Sequence, residues 1–400
     1  MEQNTFNQCP ICGFPLTAES AVCPRCGNDI LEEISSLDQD SRDIHTHNIE
    51  EKKAAWYSRS LTDLLEPAGP DAQPVKGKIP PVEAIPREIP GGINTEVLRS
   101  ASRTTLLHDN ASRKRWWNAL SPDWKEVVKS SLKISREPSD QDLLDFLQVT
   151  QLRCDSRRIH DLLPVSVLEN LQQLRCDESP VADLAPLAGL GKLQRLYAFD
   201  CDFSSLEPLK NILSLKLLWV SSTQVSSLEP LKNLVNLEEL YCSETLVEDL
   251  SPIAELVNLE KLSCYKTGIS SLAPLSKLEN LIELGINNTG ISDLAPISGL
   301  LNLEYLRCSK TGIETVEPLR GLTSIRELSI AFTPLENIDA LGCLTDLEEL
   351  DISHTLVTSI EPLMHLKQLE KIELSGSTIP RTEIERFIEL HPGCDVLIKP

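Results

Sequence analysis

Apolar residues in the second half of the chain recur at a fixed interval much longer than a helical turn. Segments beginning at Val149, Leu171, Leu193, Leu215, Leu237, Leu259, Leu281, Leu303, Ile325, Leu347 and Leu369 follow one another every 22 residues without an insertion. Each unit has the template LxxLxCxxTxIxxLxPLxxLxN, as in the unit from Leu259 to Asn280. Within it, Leu262-Ser263-Cys264 alternates with a period of two, which predicts a short strand with Leu262 and Cys264 inward and Lys261, Ser263 and Tyr265 outward. A threonine follows the strand at Thr223, Thr245, Thr267, Thr289, Thr311, Thr333 and Thr355, where its hydroxyl can bond backbone groups of the turn and of the neighbouring repeat. A proline recurs at Pro164, Pro186, Pro208, Pro230, Pro252, Pro274, Pro296, Pro318 and Pro362. It suits the first position of a short helical turn, where its missing N–H is no loss. One unit alone leaves its apolar face bare, whereas stacked units cover one another. Eleven strands at about 4.8 Å spacing predict a curved parallel sheet about 50 Å long.

The pattern differs on either side of this array. Residues 95–107, 114–120, 122–132 and 139–148 read as short helices, with Ser121-Pro122 as cap and first helical residue between the second and third. Trp116, Trp117 and Trp124 lie there; core packing is the expected use of these rings, with a ligand pocket as the alternative. Helices rich in bulky apolar residues directly before a repeat array are expected to cover its open end. At the other end, Ile379-Pro380, a helix over 381–390 and a strand over 394–398 form a C-terminal cap. Residues 31–92 are acidic and then proline-rich, a composition that cannot bury enough apolar surface to offset its ordering entropy and so predicts a disordered linker. An amphipathic piece from Trp56 to Leu65 reads either as solvated linker or as a docking motif.

The array over 149–379 resembles the 22-residue class of leucine-rich repeats found in internalins and in phosphatase-regulatory proteins. The resemblance implies an α/β solenoid: a leucine-rich repeat horseshoe with a parallel concave sheet that engages other proteins and has no catalytic residues. Arg157, Ser179 and Cys201 depart from the template threonine and Ala340 from its proline, and internalins carry a secretion signal that this start, MEQNTFNQCP, lacks. The expected domains are a zinc ribbon over 1–30, a linker over 31–92, a helical N-terminal cap over 93–148, eleven repeats over 149–379 with the last truncated, and a C-terminal cap over 380–400.

The first segment carries its own chemistry. Two CxxC pairs, Cys9 with Cys12 and Cys23 with Cys26, supply four thiolates, and Gly13 and Gly27 after them tolerate the backbone of a metal knuckle. The segment resembles a zinc ribbon, which implies a structural Zn2+ held by all four cysteines; closed thiolate coordination leaves no open position for water and supports folding. A redox CxxC and added ligands from His45 and His47 are the alternatives. Cys154, Cys176, Cys242, Cys264 and Cys308 share one inward register with Val220, Ile286, Ile330 and Ile352, so they read as small core residues.

Composition narrows the function. A formal net charge of −22 argues against sequence-independent binding to nucleic acid or anionic lipid, which depends on clustered Lys and Arg. No apolar run is long enough to span a membrane and the four-cysteine pattern needs reduced thiols, so a cytoplasmic location is expected. No serine-hydrolase order, phosphate-binding glycine loop or helix-borne metal motif occurs, so no enzyme is expected. Outward strand positions collect Tyr197, Phe199, Leu217, Trp219, Tyr241, Tyr265 and Tyr305, which read as solvent-facing anchors on the concave face or as rings packed across strands. Arg153, Arg175 and Arg195 lie at its N-terminal end; Glu327, Glu349, Asp351 and Glu373 make the other end acidic. The reading is a scaffold that binds a protein partner on the concave face; the alternative is a nucleic-acid-associated factor acting through the ribbon.

Overall fold

The computed structural model describes residues 95–398. The ribbon with Cys9, Cys12, Cys23 and Cys26, the linker, His45 and His47, and the Trp56 to Leu65 piece lie outside the described residues. Within them the repeat becomes a twelve-stranded parallel sheet whose strands follow chain order from β1 (Gln151–Arg153) to β12 (Asp395–Leu397). Each strand is three residues long, and the register repeats the 22-residue period: Leu152 faces Leu174, and Leu240 faces Leu262. β12 joins β11 (Lys371–Glu373) by pairing Ile372 with Val396.

The inward register forms one continuous core. Leu174, Leu196, Leu218, Leu240 and Leu284 are fully buried, as are Cys176, Val220, Cys242, Cys264, Ile286 and Cys308 one inward position further on. Burial pushes the Cys242 thiol up to about 12 and raises that of Cys264 as well, so these sulfurs are unreactive core atoms at neutral pH. Opposite the strands, short 3-10 turns such as Glu229–Leu231 carry proline in their first turn. Asp339–Cys343, where alanine replaces that proline, forms the turn without it and extends it to five residues.

Three details of the turns differ from expectation or add to it. Each template threonine bonds the carbonyl three residues back in its own turn, at 2.5–2.8 Å, and does not reach the next repeat. A β-branched hydroxyl one turn after a strand folds back most cheaply onto the carbonyl beside it. The bond between repeats comes instead from the template asparagine: Asn236, Asn258, Asn280 and Asn302 donate from Nδ2 to the carbonyls of Leu213, Val235, Val257 and Glu279 in the preceding repeat. The residue before each threonine position is left-handed, from Ser156 to His354, with φ of 51–56° at ten non-glycine positions in a row. Gly376, with φ of 67°, takes this place in the last unit.

Five helices precede β1: α1 (Thr95–Ser100), α2 (Arg103–His108), α3 (Asn110–Ala119), α4 (Pro122–Ser131) and α5 (Asp140–Phe146). The span expected as one helix over 95–107 is two, because Ser102 caps α2 by accepting the Thr105 N–H. Asp109 likewise starts α3 earlier than expected by accepting the N–H groups of Ala111 and Ser112. Ser139 and Asp142 form a capping box on α5. Trp116, Trp117 and Trp124 are buried; Trp116 packs 5.9 Å from Phe146, and Trp124 Nε1 donates to the Asp161 carbonyl at 3.0 Å, tying α4 to the first repeat. After the last repeat, α6 (Arg381–Leu390) buries Ile384 and Phe387. No helix among the described residues is long and apolar enough to cross a membrane.

Candidate interaction surface

The strand register sorts the outward residues into three rows that run across the sheet. The middle row reads Arg153, Arg175, Tyr197, Trp219, Tyr241, Ser263, Gly285, Arg307, Ser329, Asp351 and Glu373. A row on one side contains Arg195, Leu217, Glu239 and Tyr305, and the positions two residues beyond the middle row include Phe199 and Tyr265. All ten residues named as partner-binding candidates therefore stand on the open face of the sheet.

Their exposure differs from the reading of solvent-facing anchors. Tyr197, Leu217, Trp219, Tyr241 and Tyr265 are each 6% exposed or less, while Phe199 and Tyr305 are half-buried. In-register rings on strands about 4.8 Å apart meet one another. Trp219 lies with ring centroids 5.0 Å from Tyr241, 5.4 Å from Phe199 and 6.3 Å from Tyr197, all tilted. Such pairs add about 0.5–1.5 kcal/mol each beyond burial. Tyr241 Oη donates to Glu239 Oε2 at 2.6 Å, and burial raises the Tyr197 hydroxyl above its ordinary value.

At the N-terminal end, Arg153 pairs with Asp155 and Arg175 with Asp177, both at 2.9 Å. The two pairs differ in burial: the Arg153 side chain is mostly exposed, whereas Asp177 is 2% exposed. Burial pushes the Asp177 carboxyl up to about 6, against the pull of Arg175 and of the Phe199 N–H that it accepts. The Arg175 guanidinium also lies 5.0 Å from the Tyr197 ring centre, so Asp177 holds it against the first aromatic of the row. Arg195 is exposed on the row beside it.

The C-terminal half is less uniformly acidic than its glutamates imply. Arg307 lies between Glu283, at 2.8 Å, and Glu327, at 2.9 Å, and Lys371 pairs with Glu349 at 3.1 Å. Asp351 accepts from the Ser353 N–H and hydroxyl, and its burial beside Glu373 raises its carboxyl. Arg307 is a part of this face that a search for aromatics passes over; its register, one strand from Glu283 and one from Glu327, is the signal that finds it. Among the described residues, no group of three or more His, Cys, Asp or Glu is placed to hold a metal ion.

Comparison with known proteins agrees with this geometry. The model for Leucine Rich repeats (2 copies) matches residues 213–255 and 257–299, so the central part of the array carries leucine-rich repeats. Among solved structures, an internalin (inlF) from Listeria monocytogenes is 22% identical, with 70% of this chain and 90% of that one covered at a TM-score of 0.60. A leucine-rich repeat protein of Leptospira interrogans is 22% identical over 65% of this chain and 74% of that one, at 0.58. The functional domain of InlJ from Listeria monocytogenes, which includes a cysteine ladder, is 16% identical over 72% of this chain and 70% of that one, at 0.55. At these identities the likeness is one of fold, a leucine-rich repeat solenoid. No curated protein matches the chain in sequence.

Proposed function

We propose that this protein is an interaction scaffold that holds a protein partner on the open face of its repeat sheet and performs no catalysis. One observation carries the reading. The middle outward row changes from Arg and aromatic residues to Ser263 and Gly285 while the backbone stays the same, so the solenoid does not require large rings there. Arg, Tyr and Trp are also the residues in which binding energy at protein interfaces concentrates. The contact set is Arg153, Arg175, Arg195, Tyr197, Phe199, Leu217, Trp219, Tyr241, Tyr265 and Tyr305. Because the rings pack side by side, they offer a pre-ordered apolar surface that loses little rotamer freedom on binding.

The rest of the chain supports this surface in the same proposal. The helical segment before β1 and the segment after β11 cap the array ends. The acidic, proline-rich stretch tethers a ribbon whose four cysteines hold one structural Zn2+, and the donor set of four thiolates fits a closed site. A reduced, cytoplasmic setting suits those thiols. The test is affinity capture from native lysate with the intact chain beside the double variant Trp219→Ala/Tyr241→Ala, followed by direct binding of the captured protein in purified form. A protein lost with the variant, whose thermal unfolding remains cooperative, supports the reading. Equal capture by both moves recognition off the sheet face.

A further inference from the structure

We propose that the rim of loops leading into β4 (Leu217–Trp219), β5 (Glu239–Tyr241) and β6 (Lys261–Ser263) is a self-association surface that joins two copies of this chain in antiparallel order. The strand ranges are those of the sheet already described. Four residues at one register on this rim, Leu213, Val235, Val257 and Leu301, are apolar and 45–60% exposed. The fold does not ask for them, since Gly191, Glu279, Thr323, Thr345 and Lys367 fill the same register in other repeats. Nor are they loose: Asn236, Asn258 and Asn280 bond the carbonyls of Leu213, Val235 and Val257, which fixes the backbone under each side chain. Three apolar side chains on consecutive repeats thus form a rigid exposed ridge, of the kind that marks an interface.

Charge along the ridge indicates what covers it. Lys192 and Lys216 lie at its N-terminal end, Glu260 and Glu279 at its C-terminal end, and none of the four is buried. Lys216 already leans toward the acidic end through its ion pair with Glu238 at 2.5 Å. A two-fold axis through Val235 sets Val235 against its own copy and Leu213 against Val257 of the second copy. Two repeats before Val235 lies Gly191, with Lys192 the next residue, and two repeats after it lies Glu279, so the same axis brings Lys192 to within one residue of the place facing Glu279 of the second copy. Lys216 and Glu260, one repeat to either side of Glu238, face each other in the same way, while Glu238 meets its own copy on the axis with its charge offset by the Lys216 that pairs with it. Parallel stacking would instead place lysine on lysine and glutamate on glutamate. The ridge is thus complementary to itself in one orientation, as an isologous interface must be. From Lys192 to Glu279 it spans four strand spacings, about 19 Å, so the contact is at the small end of specific interfaces. This rim is distinct from the open sheet face, and the inference does not depend on the proposed function.

Sedimentation velocity of the full chain across the micromolar range tests it. The expected result is a concentration-dependent dimer that Val235→Glu weakens at least ten-fold, since the axis then opposes two carboxylates, with thermal unfolding unchanged at so exposed a position. Lys192→Glu and Glu279→Lys each weaken the dimer several-fold, and the two changes together restore it. A wild-type chain that stays monomeric, a dimer indifferent to Val235→Glu, or a charge-swapped double variant no stronger than the single ones overturns the proposal.

Discussion

Asp177 offers a quantitative check on the open face, because a buried acid in one strand holds the cation that lies against the aromatic row. Its carboxyl is raised to about 6 by burial, from an unfolded value of about 3.9. A raised carboxyl binds its proton more tightly in the folded chain, so its contribution to stability is fully present below about pH 4 and is lost as pH rises through about 6. The full difference is about 3 kcal/mol, and between pH 5.0 and 7.5 about 1.4 kcal/mol disappears. Asp177→Asn keeps one oxygen, enough for either Arg175, which bonds Oδ2, or the Phe199 N–H, which bonds Oδ1, and it cannot titrate. Urea unfolding of both proteins at the two pH values isolates this group, since other carboxylates titrate alike in both and cancel in the difference. The wild type should lose about 1.4 kcal/mol more than the variant on going from pH 5.0 to 7.5. A gap between the two proteins that does not change with pH would refute the argument that burial outweighs the Arg175 pair.

Other perturbations test the scaffold beneath that face. Leu262→Ala, at a position about 1% exposed in the core, should cost about 3–5 kcal/mol in urea unfolding, whereas Val235→Ala on the exposed rim should stay within about 0.5 kcal/mol. Thr245→Val keeps the volume but removes the buried bond to the Cys242 carbonyl at 2.6 Å; a loss of about 1–2 kcal/mol is expected, and a neutral result would make the threonine row dispensable. Arg113 is buried, pairs with Asp140 and donates to the Leu106 carbonyl at 2.6 Å, so Arg113→Ala should unfold the segment before β1 ahead of the repeats, seen as early loss of amide protection over 95–146 in hydrogen exchange. Elemental analysis of the full chain should find about one zinc per molecule, lost in Cys12→Ser/Cys26→Ser; a zinc-free, folded wild-type ribbon would contradict the metal reading.

Much of the fold was legible because the 22-residue period ties each residue to a register. Once Leu262 and Cys264 are inward, the whole sheet follows, and the proline of Glu229–Leu231 marks the opposite turn. Helix ends were harder to place, since Ser102 caps a helix inside the span that reads as one, and Asp109 starts another in the polar stretch between two expected helices. The direction of the threonine hydroxyls and the bonds of Asn236 and Asn258 depend on turn geometry that a template does not encode. On the open face, period two located Trp219 and Tyr241 but said nothing of exposure, which is set by what stands on neighbouring strands. The apolar template also drew attention away from Arg307, whose role appears only when Glu283 and Glu327 are placed beside it.

The central claim, that a partner occupies the sheet face, is tested most directly by position-specific photocrosslinking. A photoreactive phenylalanine analogue placed at Tyr305, on the open face, should crosslink the captured partner, and the same probe at Lys232, after the 3-10 turn on the opposite side, should not. Crosslinks from Lys232 with none from Tyr305 would contradict the account.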